Sequence, residues 1–233
     1  MSLRLFAFAS ALVALSSAAA AAERSYTVTQ FTRIRVDGGY SVKLTTGVAP
    51  FAKASGSPAA LDSVSVEVQG QTLVVRRNPS AWGGFPGQGV GPLQLTLGTH
   101  DLTTAWLNGA GSIAIDKVRG QSFQLSLDGS GSASVGALSV DKLQTDVNGS
   151  GSVTLGGDAA IARMEIDGPG EIDASALSIK NGTIAAVGNA VVKARVTDTA
   201  DVRAFGTANV EMSGNAACTV KTSGSATVTG CPN

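Results

Sequence analysis

The residues able to do acid–base, nucleophilic or redox chemistry are few. The one histidine, His100, precedes Asp101 at the end of an apparent strand, where a solvated turn residue fits better than a proton shuttle. Four carboxylates, Asp128, Asp146, Glu165 and Asp167, recur near Arg163. A glycosidase needs two such groups about 5 to 9.5 Å apart, one of them made more basic by burial. The alternation around these four places them in water instead. Asp128-Gly129-Ser130-Gly131 is similar to glycine- and aspartate-rich calcium repeats, but the acid precedes the glycines and gives way to Asn148 one repeat on. A calcium ion asks for about six to eight oxygens, several of them charged. The segment therefore reads as a turn, and the sequence offers no catalytic set, no metal ligands and no cofactor site.

What positions these side chains is a repeat. A Gly-x-Gly or Gly-x-Ala tripeptide recurs at Gly109, Gly129, Gly149, Gly168, Gly188, Gly206 and Gly224, in steps of 20, 20, 19, 20, 18 and 18 residues. Self-similarity at this period marks a stacked-coil architecture. With the first glycine as zero, position −4 holds Ala105, Leu125, Thr145, Met164, Ile184, Val202 and Val220. Position −2 holds Leu107, Leu127, Val147, Ile166, Ala186, Ala204 and Thr222, and position +4 holds Ile113, Ala133, Val153, Ile172, Val192, Val210 and Val228. Between them stand Gln124, Ser126, Asp128, Gln144, Asp146, Asn148, Arg163, Glu165 and Asp167. Alternation with period two is strand, with the even positions inward.

At +2 the residue is Gly111, Gly131, Gly151, Gly170, Ala190, Ala208 or Ala226, inward yet never large. A tight bend there brings the corner against the core. Val118, Leu138 and Leu177 mark a third face. The spacing predicts an all-β, single-domain parallel β-helix, with about 18–20 residues and three short strands per coil. An antiparallel meander of the same period is the rival, but it needs a second turn signal at mid-repeat, and Lys117–Gly120, Gly136–Ser139 and Gly156–Ala159 share none.

Arg4, the apolar run Leu5–Leu15 and the small residues Ser16–Ala22 form a secretory signal peptide over 1–22, cleaved near Ala22. The run is too short to span a bilayer, so no membrane span and a periplasmic or extracellular location are expected. The sequence has 17 basic and 17 acidic residues; loss of Arg4 leaves 16 against 17, which gives no pull toward nucleic acid. The β-helix domain is expected over 23–233. Residues 26–100 read as irregular early coils, interrupted by a surface loop over 78–92, and regular coils follow over 101–230. In an exported chain, Cys218 and Cys231 predict a disulfide that pins the C-terminal tail across the open end as a cap.

The segments FTRIRVDGGYSVKLTTG and VSVEVQGQTLVVRR, followed by LNGAGS, LDGSGS and VNGSGS, resemble the bacterial family described as putative auto-transporter adhesin, head GIN domain. The resemblance runs from Phe31 to about Gly230. It implies an exported parallel β-helix and carries no catalytic or binding residues to transfer. With no C-terminal barrel segment expected, it does not imply autotransport.

Apolar residues on outward or loop positions are the candidates for contact: Trp82 and Phe85 in the long loop, Trp106 at −3, and Val187 and Phe205 at −1 in adjacent coils. A Val–Phe pair on neighbouring strands also stabilises a sheet face by itself. Two functions stay open. One is a non-catalytic envelope or surface scaffold, adhesin-like, that binds an envelope protein or a glycan. The other is a carbohydrate-active β-helix enzyme, a lyase or hydrolase.

Overall fold

The computed structural model describes residues 22–80 and 91–231. The expected leader, apart from Ala22, lies outside the described residues, as do Trp82 and Phe85. Strands β1 (Ala22–Tyr26), β2 (Arg33–Asp37), β3 (Ser41–Thr46) and β4 (Phe51–Gly56) lead into the short helix α1 (Pro58–Asp62). Then come β5 (Val64–Gln69), β6 (Thr72–Arg77), β7 (Leu93–Thr99) and β8 (Thr104–Gly109). The regular part comprises β9 (Ser112–Gly129), β10 (Ser132–Gly149), β11 (Ser152–Asp167), β12 (Glu171–Gly188), β13 (Val191–Gly206), β14 (Asn209–Ser213), β15 (Ala217–Gly224) and β16 (Thr227–Thr229). From β8 onward every pairing is parallel, each coil lying in register on the next, so the chain is a β-solenoid and the meander is excluded.

The alternation places side chains as expected. Ala105, Leu125, Thr145, Met164, Ile184 and Val202 form one buried column, and Leu107, Leu127, Val147, Ile166, Ala186 and Ala204 a second. Each large aliphatic buried in this way contributes about 1.5–3 kcal/mol. Thr145 is the misfit: it is fully buried between Leu125 and Met164, and its hydroxyl has no hydrogen-bond partner.

At the corners the two small residues have different jobs. The first glycine takes a positive φ, from +122° at Gly129 to +81° at Gly206, where an L side chain is strained. The second does not; it is small because there is no room. A Cβ on Gly131 would lie 2.5 Å from the Gly111 oxygen and 3.0 Å from Leu107 Cδ2, and one on Gly151 would lie 2.0 Å from Leu127 Cδ2. Lower in the stack position −2 shrinks to Ala186 and Ala204, and position +2 grows to Ala190 and Ala208. The two columns trade volume, as close packing requires.

The N-terminal region differs from a simple run of earlier coils. β2, the bend at Gly38-Gly39 and β3 form a true coil, parallel to β8 and β9, and Gly38 (φ +126°) heads the column of corners. On its other side lie β6 and β7, also parallel. Beyond these, β5 runs antiparallel to β6, and β4 antiparallel to both β7 and β1. The local cause is the two-residue loop Gly70-Gln71, with Gly70 at φ +63°, which reverses the chain into a hairpin. Ser57 caps α1 by accepting from the Ala60 N–H at 3.1 Å, and Pro58 opens the helix. Phe31, Leu61, Leu73 and Leu95 are buried beneath this layer.

Candidate functional site

The sheet face that precedes the corners gathers most of the polar and aromatic residues singled out above. One outward row reads Glu67, Val74, Arg35, Trp106, Ser126, Asp146, Glu165, Ala185, Arg203 and Lys221. The row beside it reads Asp37, Asn108, Asp128, Asn148, Asp167, Val187 and Phe205. Trp106, Val187 and Phe205 therefore share a face, and five coils separate Trp106 from the coil of Phe205. At about 4.8 Å per coil they stand roughly 24 Å apart along the stack.

In the second row acids alternate with amides. Asn108 Nδ2 donates to Asp37 Oδ1 at 2.6 Å, and Asn148 Nδ2 donates to Asp128 Oδ1 at 2.9 Å. An amide between two carboxylates replaces a like-charge contact with a charge-assisted hydrogen bond. Asp146 and Glu165 are direct neighbours in the first row; Gln144 Nε2 donates to Asp146 at 3.0 Å and Arg163 pairs with Glu165. All four candidate carboxylates are exposed or half-buried, as the alternation predicts. His100 is exposed at the end of β7, where its carbonyl accepts from the Gly47 N–H at 2.9 Å. Among the described residues no three His, Cys, Asp or Glu side chains gather as a metal site would require.

At the N-terminal end of this face the surface sinks into a hollow of about 480 Å³, lined by Arg35, Gln69, Thr72, Val74, Trp106 and Asn108. Its backbone is rigid because the intervening residues Ile34, Val36, Leu73, Val75, Ala105 and Leu107 are fully buried. Arg35 Nε donates to Asp37 Oδ1 at 2.9 Å, and Arg76 pairs with Glu67 at 3.5 Å. The Ser65 hydroxyl, donating at 2.7 Å, holds the Glu67 carboxyl below the usual carboxylate range. Of the hollow's residues only Trp106 stood out in the sequence. The alignment of VDGGYS with LNGAGS around Gly38 is the signal that brings in Arg35 and Asp37.

At the C-terminal end, Val187 and Phe205 pair in register and are 40 % and 39 % exposed. Val220, on the inward parity, is as exposed, since among the described residues no coil lies beneath it. Cys218 and Cys231 are disulfide-bonded with their Cα atoms 5.8 Å apart, and both rest against the core. The bond ties the tail down without covering Val220 or Thr222.

Among the described residues no helix is long and apolar enough to cross a membrane. Solved structures share the fold. A putative adhesin from Bacteroides fragilis NCTC 9343 superposes with a TM-score of 0.79 at 20% identity, over 89% of this chain and 95% of that one. A putative lipid binding protein from Parabacteroides distasonis ATCC 8503 gives 0.70 at 17% identity, over 91% and 96%. A putative adhesin from Parabacteroides merdae ATCC 43184 gives 0.65 at 20% identity, also over 91% and 96%. No curated protein sequence matches the chain. The family model described as "Putative auto-transporter adhesin, head GIN domain" matches residues 30–216, and the chain belongs to that family.

Proposed function

We propose that this protein is an exported, non-catalytic binding module of the cell envelope, working in the periplasm or at the surface, whose contact face carries Trp106 at one end and Val187 and Phe205 at the other. The observation that carries the reading is the face itself: one continuous parallel sheet, locked by a buried core, that presents a tryptophan and an exposed Val–Phe pair. Rigid surfaces bind without an ordering cost, and aromatic side chains dominate contact energies. The adhesin-like family agrees with it. So does the disulfide, since such bonds persist in oxidising compartments. The carboxylates of the two rows keep the face soluble and select against like-charged partners.

The test is retention of washed envelope material by the purified chain from residue 23 onward. The variant carrying Trp106→Ala and Phe205→Ser should keep its melting temperature and lose at least ten-fold in retention. Equal retention by the variant, or none by the unaltered chain, overturns the reading. Cleavage of a glycan that disappears with Asp146→Asn or Glu165→Gln would make it an enzyme instead.

A further inference from the structure

The hollow beside Trp106 has the composition of a site for a particular kind of ligand. Its volume of about 480 Å³ falls in the range of small-molecule sites, roughly 300–1,000 Å³. The hollow beside the Ser112, Ser132 and Ser152 corner, at about 240 Å³, is smaller and has no indole. Two apolar surfaces line it: Trp106, and Val74, which is 8 % exposed. The next residue in the Trp106 row is the short Ser126.

The rest of the lining is made of planar or hydroxyl hydrogen-bonding groups: the Arg35 guanidinium, the Gln69 and Asn108 amides and the Thr72 hydroxyl. The one charged side chain of the lining, Arg35, is already paired with Asp37. Arg76 is paired with Glu67, and Arg33, in register with Thr72, is exposed outside the lining. A charged ligand in the hollow would have to compete with the Arg35–Asp37 pair. A lipid chain would leave the rim donors and acceptors buried and unsatisfied.

What fits both surfaces is a neutral ring with an apolar C–H face and a circumference of hydroxyls. We infer that this hollow binds a neutral hexopyranose unit of a glycan, its C–H face on Trp106 and its hydroxyls on Arg35, Asn108, Gln69 and Thr72. The inference rests on the binding-module reading and gives that face its ligand. The C–H groups of a pyranose carry partial positive charge and meet the negative face of the indole. Sugar hydroxyls both donate and accept, which matches amides that do the same. Four strands, β2, β5, β6 and β8, hold the site before any ligand arrives, so little ordering is needed on binding.

The experiment uses the chain from residue 23 onward with Trp82→Phe, leaving Trp106 as its one tryptophan. It is titrated with neutral gluco-, galacto-, manno- and N-acetylglucosamine oligosaccharides, with matched uronic-acid oligosaccharides, and with phosphatidylglycerol and phosphatidylcholine vesicles. Trp106 emission is followed, with an array of the same sugars as a second readout. The expected result is saturable binding of at least one neutral oligosaccharide. Trp106→Ala should weaken it at least ten-fold on the array, and Asn108→Ala three- to ten-fold, while Ile161→Ser, at an exposed position outside the contact face, leaves it unchanged. All variants should melt within a degree or two of the parent, because these side chains point outward. Binding to no neutral sugar, preference for the uronic acids, a response to vesicles only, or sugar binding indifferent to Trp106→Ala would each overturn the inference. Retention of envelope material alongside any of these outcomes would leave the binding-module reading standing without its sugar.

Discussion

At the N-terminal end of the stack the outermost strands turn against the direction of the coils, with β5 on β6 and β4 on β7, and the core beneath is sealed. At the C-terminal end β15 and β16 simply continue the parallel ladder and stop, leaving Val220 40 % exposed and one disulfide to hold the tail. Both ends face the same problem, an edge of unpaired backbone groups above an apolar interior. One solves it by burial of Phe31, Leu73 and Leu95, the other by a covalent tie and by Lys221 on the last strand of the Trp106 face. Burial closes an end to solvent, whereas a crosslink only limits how far it can fray. The first kind of closure is therefore sensitive to volume, the second to redox potential.

The largest difference is expected from truncating one residue at each end. Phe31→Ala should cost about 3–5 kcal/mol in denaturant unfolding, the range for a fully buried aromatic. Val220→Ala should cost less than about 0.5 kcal/mol. Equal losses would mean that the C-terminal end is covered in solution. Next in size is the disulfide. Reduction should lower stability by about 3 kcal/mol in the chain-entropy model for a loop of this length, read as a lower melting temperature. An unchanged melt would show that the tail stays docked by packing alone. A smaller contrast tests the trade of volume along the stack. Gly151→Ala should cost about 1–3 kcal/mol by overpacking against Leu127, while Ala208→Gly loses about 0.5–1 kcal/mol of strand preference. A gain, not a loss, is expected midway between the ends, where Thr145→Val should raise stability by about 1 kcal/mol by removing a buried hydroxyl without a partner.

The two ends also differ in how far they could be read in advance. From Thr104 onward, partners sit one repeat apart, so alternation and glycine spacing assign the coil, the inward parity and the corner together. The division of labour within the corner was not legible, because the crowding at Gly131 comes from Leu107 and the Gly111 oxygen in the previous coil. In the N-terminal region β2 pairs with strands 39 and 71 residues further on, and no local period encodes that. Trp106 was legible as an outward aromatic. The hollow was not, since Gln69, Thr72 and Val74 come from a hairpin whose place in the stack is set by those distant pairings.

The insertion of β2 between β6 and β8 also sets an order on assembly. As the chain is made, N-terminus first, β2 waits until Thr72–Arg77 and then Thr104–Gly109 have followed before either of its edges is satisfied. Pairing across such separations is slow, because the loop must close before the contacts reward it. Roughly the first half of the chain therefore has no stable resting place of its own, while each later repeat finds a finished template directly behind it. The coils grow by addition to a seed that is itself the last part of the N-terminal half to become complete. A chain built this way is expected to fold slowly until Thr104–Gly109 has been made and β2 has both its partners.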